Sequence, residues 1–200
     1  YIGDAIIAFY GAPVQTEDHE YLACLTCCQM NDKLEELRQK WKSEGDKWPE
    51  VVHNMRHRIG VNCGSLVTGN MGSDMRMNYT MMGDTVNLTA RLESGAKQYG
   101  IYNATTYETL EAAGKDEFEW RIVDKTRYVG KSDATITVEI LGFKGGISDE
   151  LMKAIEIFNE GFELYQKMDW DGAIAKFTES EKYEEEFVGR PNTPSRKLMD

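Results

Sequence analysis

An α/β fold of the α+β kind, a mainly antiparallel sheet sandwiched with helices and followed by a helical hairpin, is predicted by three features of the sequence. Strand-like stretches at 58–70, 77–82, 118–129 and 134–141 carry apolar residues at the spacing of a half-buried sheet. Between them, Tyr21, Leu22, Leu25, Cys28, Leu34, Leu37 and Trp41 recur at helical spacing, and a second helical run extends from Thr85 to Gln98. From Asp149 the pattern changes to helix, break near Met168-Asp169, helix.

Taken in order, Tyr1 to Tyr10 alternates around Gly3-Asp4, which predicts two short strands with Asp4 at the tip of their turn. Thr16-Glu17-Asp18 and Gly45 bound the first helix. Arg58 to Asn70 reads as a hairpin turning near Cys63-Gly64, and Met77 to Met82 as a further strand. Asp84 is placed to cap the helix from Thr85, its carboxylate accepting from the free amides of the first turn. Thr105 to Ala113 reads as a short helix, and Gly130-Lys131-Ser132-Asp133 as the turn of the last hairpin. In the tail, Gly161, Trp170, Ala173, Phe177 and Ser180 fall at tetratricopeptide-repeat spacing. One such repeat cannot bury its own face, so it either begins an array or docks on the preceding domain. The expected division is 1–145 and 148–200.

Composition narrows the function. A net charge of -11 argues against a partner held by broad phosphate neutralisation, so no nucleic-acid partner is expected. From Ser148 onward thirteen acidic and seven basic residues contribute -6 of that charge, setting the tail apart. No stretch reaches the roughly 18 apolar residues of a membrane-spanning helix. The cysteines, Cys24, Cys27, Cys28 and Cys63, show no disulfide framework, which suits a reducing compartment. Helix packing is the expected role of Cys24-x-x-Cys27, because no second ligand pair lies at zinc-like spacing. His19, His53 and His57 likewise show no metal spacing and receive no role.

Asn87 and Arg91 stand four apart, so both project from one helix face. Arg supplies a charged planar fork for a phosphoryl group, and Asn a donor and an acceptor for a sugar. From spacing alone, an exposed arginine and a helix-interior asparagine remain the alternative. The strings Asn70-Met-Gly-Ser73, Asn78-Tyr-Thr80 and Gly83-Asp-Thr-Val-Asn-Leu-Thr-Ala-Arg-Leu-Glu93 closely resemble the class III adenylyl and guanylyl cyclases, especially bacterial ones. Tyr1-Ile-Gly-Asp-Ala-Ile-Ile-Ala-Phe-Tyr-Gly-Ala-Pro13 and Arg58-Ile-Gly-Val-Asn-Cys-Gly64 resemble that family too.

The resemblance implies a ferredoxin-like cyclase sandwich and a reaction in which the ribose 3′-hydroxyl of a nucleoside triphosphate attacks its own α-phosphate. Two Mg²⁺ or Mn²⁺ ions assist such a displacement, and Asp4 matches one of the family's two metal-binding aspartates. Asn87 matches the residue that orients the ribose, and Arg91 the one that stabilises the transition-state phosphate. Thr80 falls at a base-reading position, where threonine favours ATP over GTP; its other reading is a plain strand residue. A homodimer with composite active sites is implied, with Asp4 of one chain facing Asn87 and Arg91 of the other. Where many members carry a pyrophosphate-binding lysine this chain has Val129, and Lys131 is the candidate substitute, with a turn lysine as the alternative. The second aspartate and a base-reading lysine are expected upstream of Tyr1. An adenylate cyclase making cyclic AMP is therefore expected. It would lie in the cytoplasm, free or as the cytosolic part of a membrane-anchored protein. A guanylate cyclase, an inactive regulatory homologue, and an interaction module binding a protein partner through the tail are the alternatives.

Overall fold

The computed structural model describes residues 3–73, 75–127, 134–184 and 190–200. Helix α1 (His19–Ser43) forms where the Tyr21-to-Trp41 spacing places it, and a short α2 (Glu50–His53) follows. Cys24, Cys27 and Cys28, each at most 2% exposed, form the buried stripe of α1. They are free thiols. Burial pushes Cys24 up to about 12 and Cys28 up to about 11, so these thiols act as small apolar packing groups.

Strand β1 (Ile59–Gly60) does not fold back on β2 (Val67–Ser73) as the expected hairpin. It pairs in parallel with β4 (Asn103–Thr106), through Ile59 N–H to Tyr102 O at 2.7 Å and Val61 N–H to Ala104 O at 2.9 Å. The segment between β1 and β2 spends its polar groups elsewhere. Cys63 N–H donates to Thr109 Oγ1 at 3.0 Å, Asn62 Nδ2 donates to Thr85 O at 3.2 Å, and Thr85 Oγ1 donates to Ser65 O at 2.8 Å. The true hairpin is β2 with β3 (Arg76–Met82), an antiparallel pair outside the main sheet.

Gly83 joins β3 to α3 (Asp84–Tyr99) and is its N-cap, at φ 147°. Asp84 therefore stands inside the first turn and makes no side-chain capping bond, contrary to the expectation; its charge still lies beside the positive end of the helix. Leu88, Leu92 and Ala96, four residues apart, bury their side chains with Ile101, Ala104 and Val123. Gly60 lets β1 cross this helix closely, since a Cβ there would strike Thr89 O and, at 2.8 Å, Glu93 N.

Thr105 to Ala113 divides into the end of β4 and helix α4 (Tyr107–Ala112), because Thr106 Oγ1 accepts from Thr109 N–H at 3.1 Å and starts the helix there. Strands β5 (Phe118–Thr126) and β6 (Thr135–Phe143) are antiparallel, and the sheet order is β1-β4-β6-β5. Two of its three pairings are antiparallel. One face, with Val138 and Ile140, packs on the α1 cysteines and Leu110 of α4. The other face carries Ala104 and Val123 against α3.

The tail forms α5 (Asp149–Gln166), α6 (Trp170–Ser180) and α7 (Pro194–Met199), the last not foreseen. Ser148 Oγ caps α5 and Asp169 Oδ1 caps α6, and Met168 at φ 61° makes the break. Gly161 admits Phe177, whose ring carbons would lie 2.9 Å from a Cβ. Of the two expectations for the tail, docking is what the structure displays. Arg121 of β5, 1% exposed, pairs with Glu139 of β6 at 2.8 Å and with Glu184 of the tail, which also binds Arg190 at 3.0 Å. Arg190 Nε donates to Gly100 O at 3.0 Å and Asn192 Nδ2 donates to Gln98 O at 2.9 Å, so the tail caps the carbonyl end of α3.

Candidate active site

The apolar stripe of α3 determines what its other face presents. With Leu88, Leu92 and Ala96 turned to the sheet, Asn87 and Arg91 are exposed together, one turn apart. Thr80 lies on β3, opposite Gly69 and half-buried, in the strand that runs through Gly83 into α3. One continuous β3–Gly83–α3 unit therefore carries Thr80, Asn87 and Arg91.

Asp4 belongs to a different segment. Gly3, at φ 62°, makes the expected turn and leaves Asp4 exposed, and Ala5 just after it lies in an isolated β-bridge; Tyr1 and Ile2, the first arm of the expected pair of strands, lie outside the described residues. Ile6 and Ile7 stay 66% and 46% exposed. Phe9 stacks on Tyr79 at 6.0 Å and Tyr10 Oη lies 2.6 Å from Thr26 Oγ1, setting the segment between β3 and α1. Lys131 and Val129 lie outside the described residues.

An exposed amide and guanidinium on one helix face suit a phosphorylated sugar, and an exposed carboxylate suits a hard divalent ion. The β2–β3 hairpin that leads into α3 exposes apolar side chains: Val67, Met77, Tyr79 and Met82 are 66%, 57%, 46% and 61% exposed.

One cluster escaped the sequence reading. His19 Nε2, Glu20 Oε1 and Cys63 Sγ converge, with His19 and Cys63 44 positions apart. No spacing rule joins residues so distant. Burial first, then Glu20, pushes the Cys63 thiol up to about 11, and the hydrogen bond from Cys63 holds Glu20 below its usual range.

Residues 1–141 match the family described as the adenylate and guanylate cyclase catalytic domain. The chain belongs to this cyclase family. The cyclase domain is 32% identical over 140 residues to adenylate cyclase 1 of Rhizobium meliloti, covering 70% of this chain and 20% of that protein. It is 34% identical over 122 residues to the terminal-differentiation-specific adenylate cyclase of Dictyostelium discoideum, covering 60% and 6%. The chain thus spans about a fifth of the first relative and far less of the second. Among solved structures it is similar to the adenylyl cyclase CyaB from P. aeruginosa, with TM-score 0.54, 27% identity, and 66% and 64% of the two chains covered. It is also similar to the guanylyl cyclase Cya2, with TM-score 0.50, 28% identity, and 67% and 64% covered. These matches bear out the cyclase fold expected for the domain. No described helix of this cyclase domain is long and apolar enough to cross a membrane.

Proposed function

We propose that this cyclase domain converts ATP to 3′,5′-cyclic AMP and pyrophosphate. The observation that carries the reading is that one continuous β3–Gly83–α3 unit bears Thr80 and the exposed pair Asn87 and Arg91. The ribose 3′-oxygen forms a bond to the α-phosphorus, the bond from that phosphorus to the bridging oxygen breaks, pyrophosphate leaves, and the hydroxyl proton passes to solvent. Asn87 holds the ribose so that its hydroxyl faces the phosphorus. Arg91 donates to the phosphoryl oxygens as charge builds on them. Thr80 Oγ1 accepts from the adenine amino group.

Asp4, an exposed carboxylate on a glycine turn, fits a Mg²⁺ or Mn²⁺ ion, since such ions take one or two carboxylates and complete their shell with water and substrate phosphates. The ions would polarise the phosphate chain. The exposed apolar residues on the β2–β3 hairpin support a homodimer, in which Asp4 of one chain serves Asn87 and Arg91 of its partner. We place the catalytic domain at 1–145 and a tetratricopeptide-like extension at 148–200, docked on the sheet through Glu184.

Parallel assays with ATP and GTP test the base assignment, on this chain and on a protein extended at its amino end by the sequence the family resemblance expects there. One hydrogen bond worth about 1.4 kcal/mol corresponds to about tenfold discrimination, so ATP turnover should exceed GTP turnover by at least about that factor. Equal rates, or faster turnover of GTP, would contradict the assignment of Thr80. Absence of turnover with either, in a dimeric protein, would favour an inactive regulatory homologue.

A further inference from the structure

Helix α1 begins with two residues that both reach one thiol. Adjacent side chains on a helix ordinarily diverge by about 100°, yet His19 Nε2 lies 3.4 Å from Cys63 Sγ and Glu20 Oε1 lies 3.1 Å from it. His19 Nε2 and Glu20 Oε1 are themselves 3.1 Å apart. We propose that His19, Glu20 and Cys63 form a site for a borderline-soft divalent cation of the zinc class, separate from Asp4 and independent of the cyclase assignment.

Size supports this first. Zinc binds imidazole nitrogen and carboxylate oxygen at about 2.0–2.1 Å and thiolate sulfur at about 2.3 Å, so tetrahedral angles set its donors about 3.3–3.6 Å apart. The triangle of 3.1, 3.1 and 3.4 Å therefore needs only a slight outward movement of the three donors. The second support is the outer contact of the histidine. Nδ1 of His19 lies 3.2 Å from Thr16 O, the backbone partner that fixes a ligating imidazole with its Nε2 lone pair free for a metal.

Proton counting gives the third. With Nδ1–H donating to Thr16, a neutral imidazole leaves the thiol hydrogen as the one proton available to three short contacts. Two of those contacts then set lone pairs against one another. A cation relieves all three, displacing the thiol proton to solvent and bonding the thiolate. The competing occupant is a proton on Nε2, which would make an imidazolium–carboxylate pair and leave the thiol to donate to Glu20. Thiolate, imidazole and carboxylate together select zinc over magnesium, and three protein ligands leave the fourth position to water. Occupancy would fasten the start of α1 to the 61–66 loop, whose Asn62 and Ser65 are bonded to Thr85 in the first turn of α3.

The test is titration of the full chain with Co²⁺, as a coloured stand-in for zinc, under reducing conditions and in excess Mg²⁺ to saturate oxygen-only sites. The expected result is one equivalent giving a thiolate-to-cobalt charge-transfer band with tetrahedral visible bands, both abolished by added Zn²⁺. Cys63→Ser should remove the charge-transfer band and weaken Zn²⁺ binding at least about 100-fold, and His19→Gln should weaken it at least about tenfold. Absence of a thiolate band in the parent chain would overturn the site. So would a band that survives Cys63→Ser, since it would then arise from the α1 cysteines. If circular dichroism shows that Cys63→Ser does not fold, His19→Gln decides, and unchanged Zn²⁺ affinity in it would reject the proposal.

Discussion

Arg91→Ala should lower the turnover of ATP by about 10²–10³-fold, the loss that follows removal of one donor aimed at developing transition-state charge. The KM should change little, because the guanidinium is assigned to charge that grows during the displacement rather than to ground-state binding. Stability separates this from a folding defect. Arg91 is exposed, beside rather than within the buried Leu88, Leu92 and Ala96 stripe of α3, so thermal unfolding should shift by no more than about 1 kcal/mol. Activity within tenfold of the parent would remove Arg91 from the catalytic role.

Glu184→Gln should have the largest effect on stability, costing about 3–5 kcal/mol by denaturant unfolding, because it leaves a buried charge short of its partner. Arg121 has its side chain 1% exposed and packs over the Phe158 ring at 5.7 Å, so water cannot replace the lost carboxylate. Burial works against the charge on Arg121, but Glu139 and Glu184 outweigh it and raise its pKa. Burial pushes Glu139 up, beyond what Arg121 offsets. Burial would raise Glu184 too, yet Arg121 and Arg190 prevail and hold it below the usual range. A depressed carboxyl contributes stability above its unfolded pKa of about 4.3 and loses it as pH falls through the folded value. The deficit of Glu184→Gln should therefore be full at neutral pH and shrink in acid. A deficit under 1 kcal/mol, or one constant with pH, would contradict this account. The same network bears on the tail as a detachable module: deletion of 149–200 would uncover Arg121 and Glu139.

Much of this architecture was legible because its causes are local. The α1 stripe, the helical run from Thr85 and the break near Met168-Asp169 each arise within a turn or two of helix, and the sequence pattern reveals them. The strands of β5 and β6 were legible for the same reason. What sequence could not reveal depends on distant partners. β1 pairs with β4 across the intervening hairpin and helix, and the contacts around it, Gly60 against the backbone of α3 and Cys63 N–H on Thr109, join residues far apart in sequence. Arg121 and Glu184 are 63 positions apart, and a lone arginine in a strand gives no sign of a carboxylate on the tail. Within the site, the shared face of Asn87 and Arg91 followed from helix geometry, whereas their roles, and that of Asp4, came from the family resemblance. The Asp84 expectation failed because a glycine one position earlier already occupied the cap.

In the proposed dimer each chain carries both halves of a cyclase site, and Asp4 of one chain serves Asn87 and Arg91 of its partner. The decisive measurement mixes Asp4→Ala and Arg91→Ala proteins, each extended at its amino end as above and each inactive alone. Random pairing makes half the dimers mixed, each with one intact site of two, so cyclic AMP production should recover to roughly one quarter of the parent rate. No recovery, with heterodimers demonstrated in the same sample, would contradict the claim.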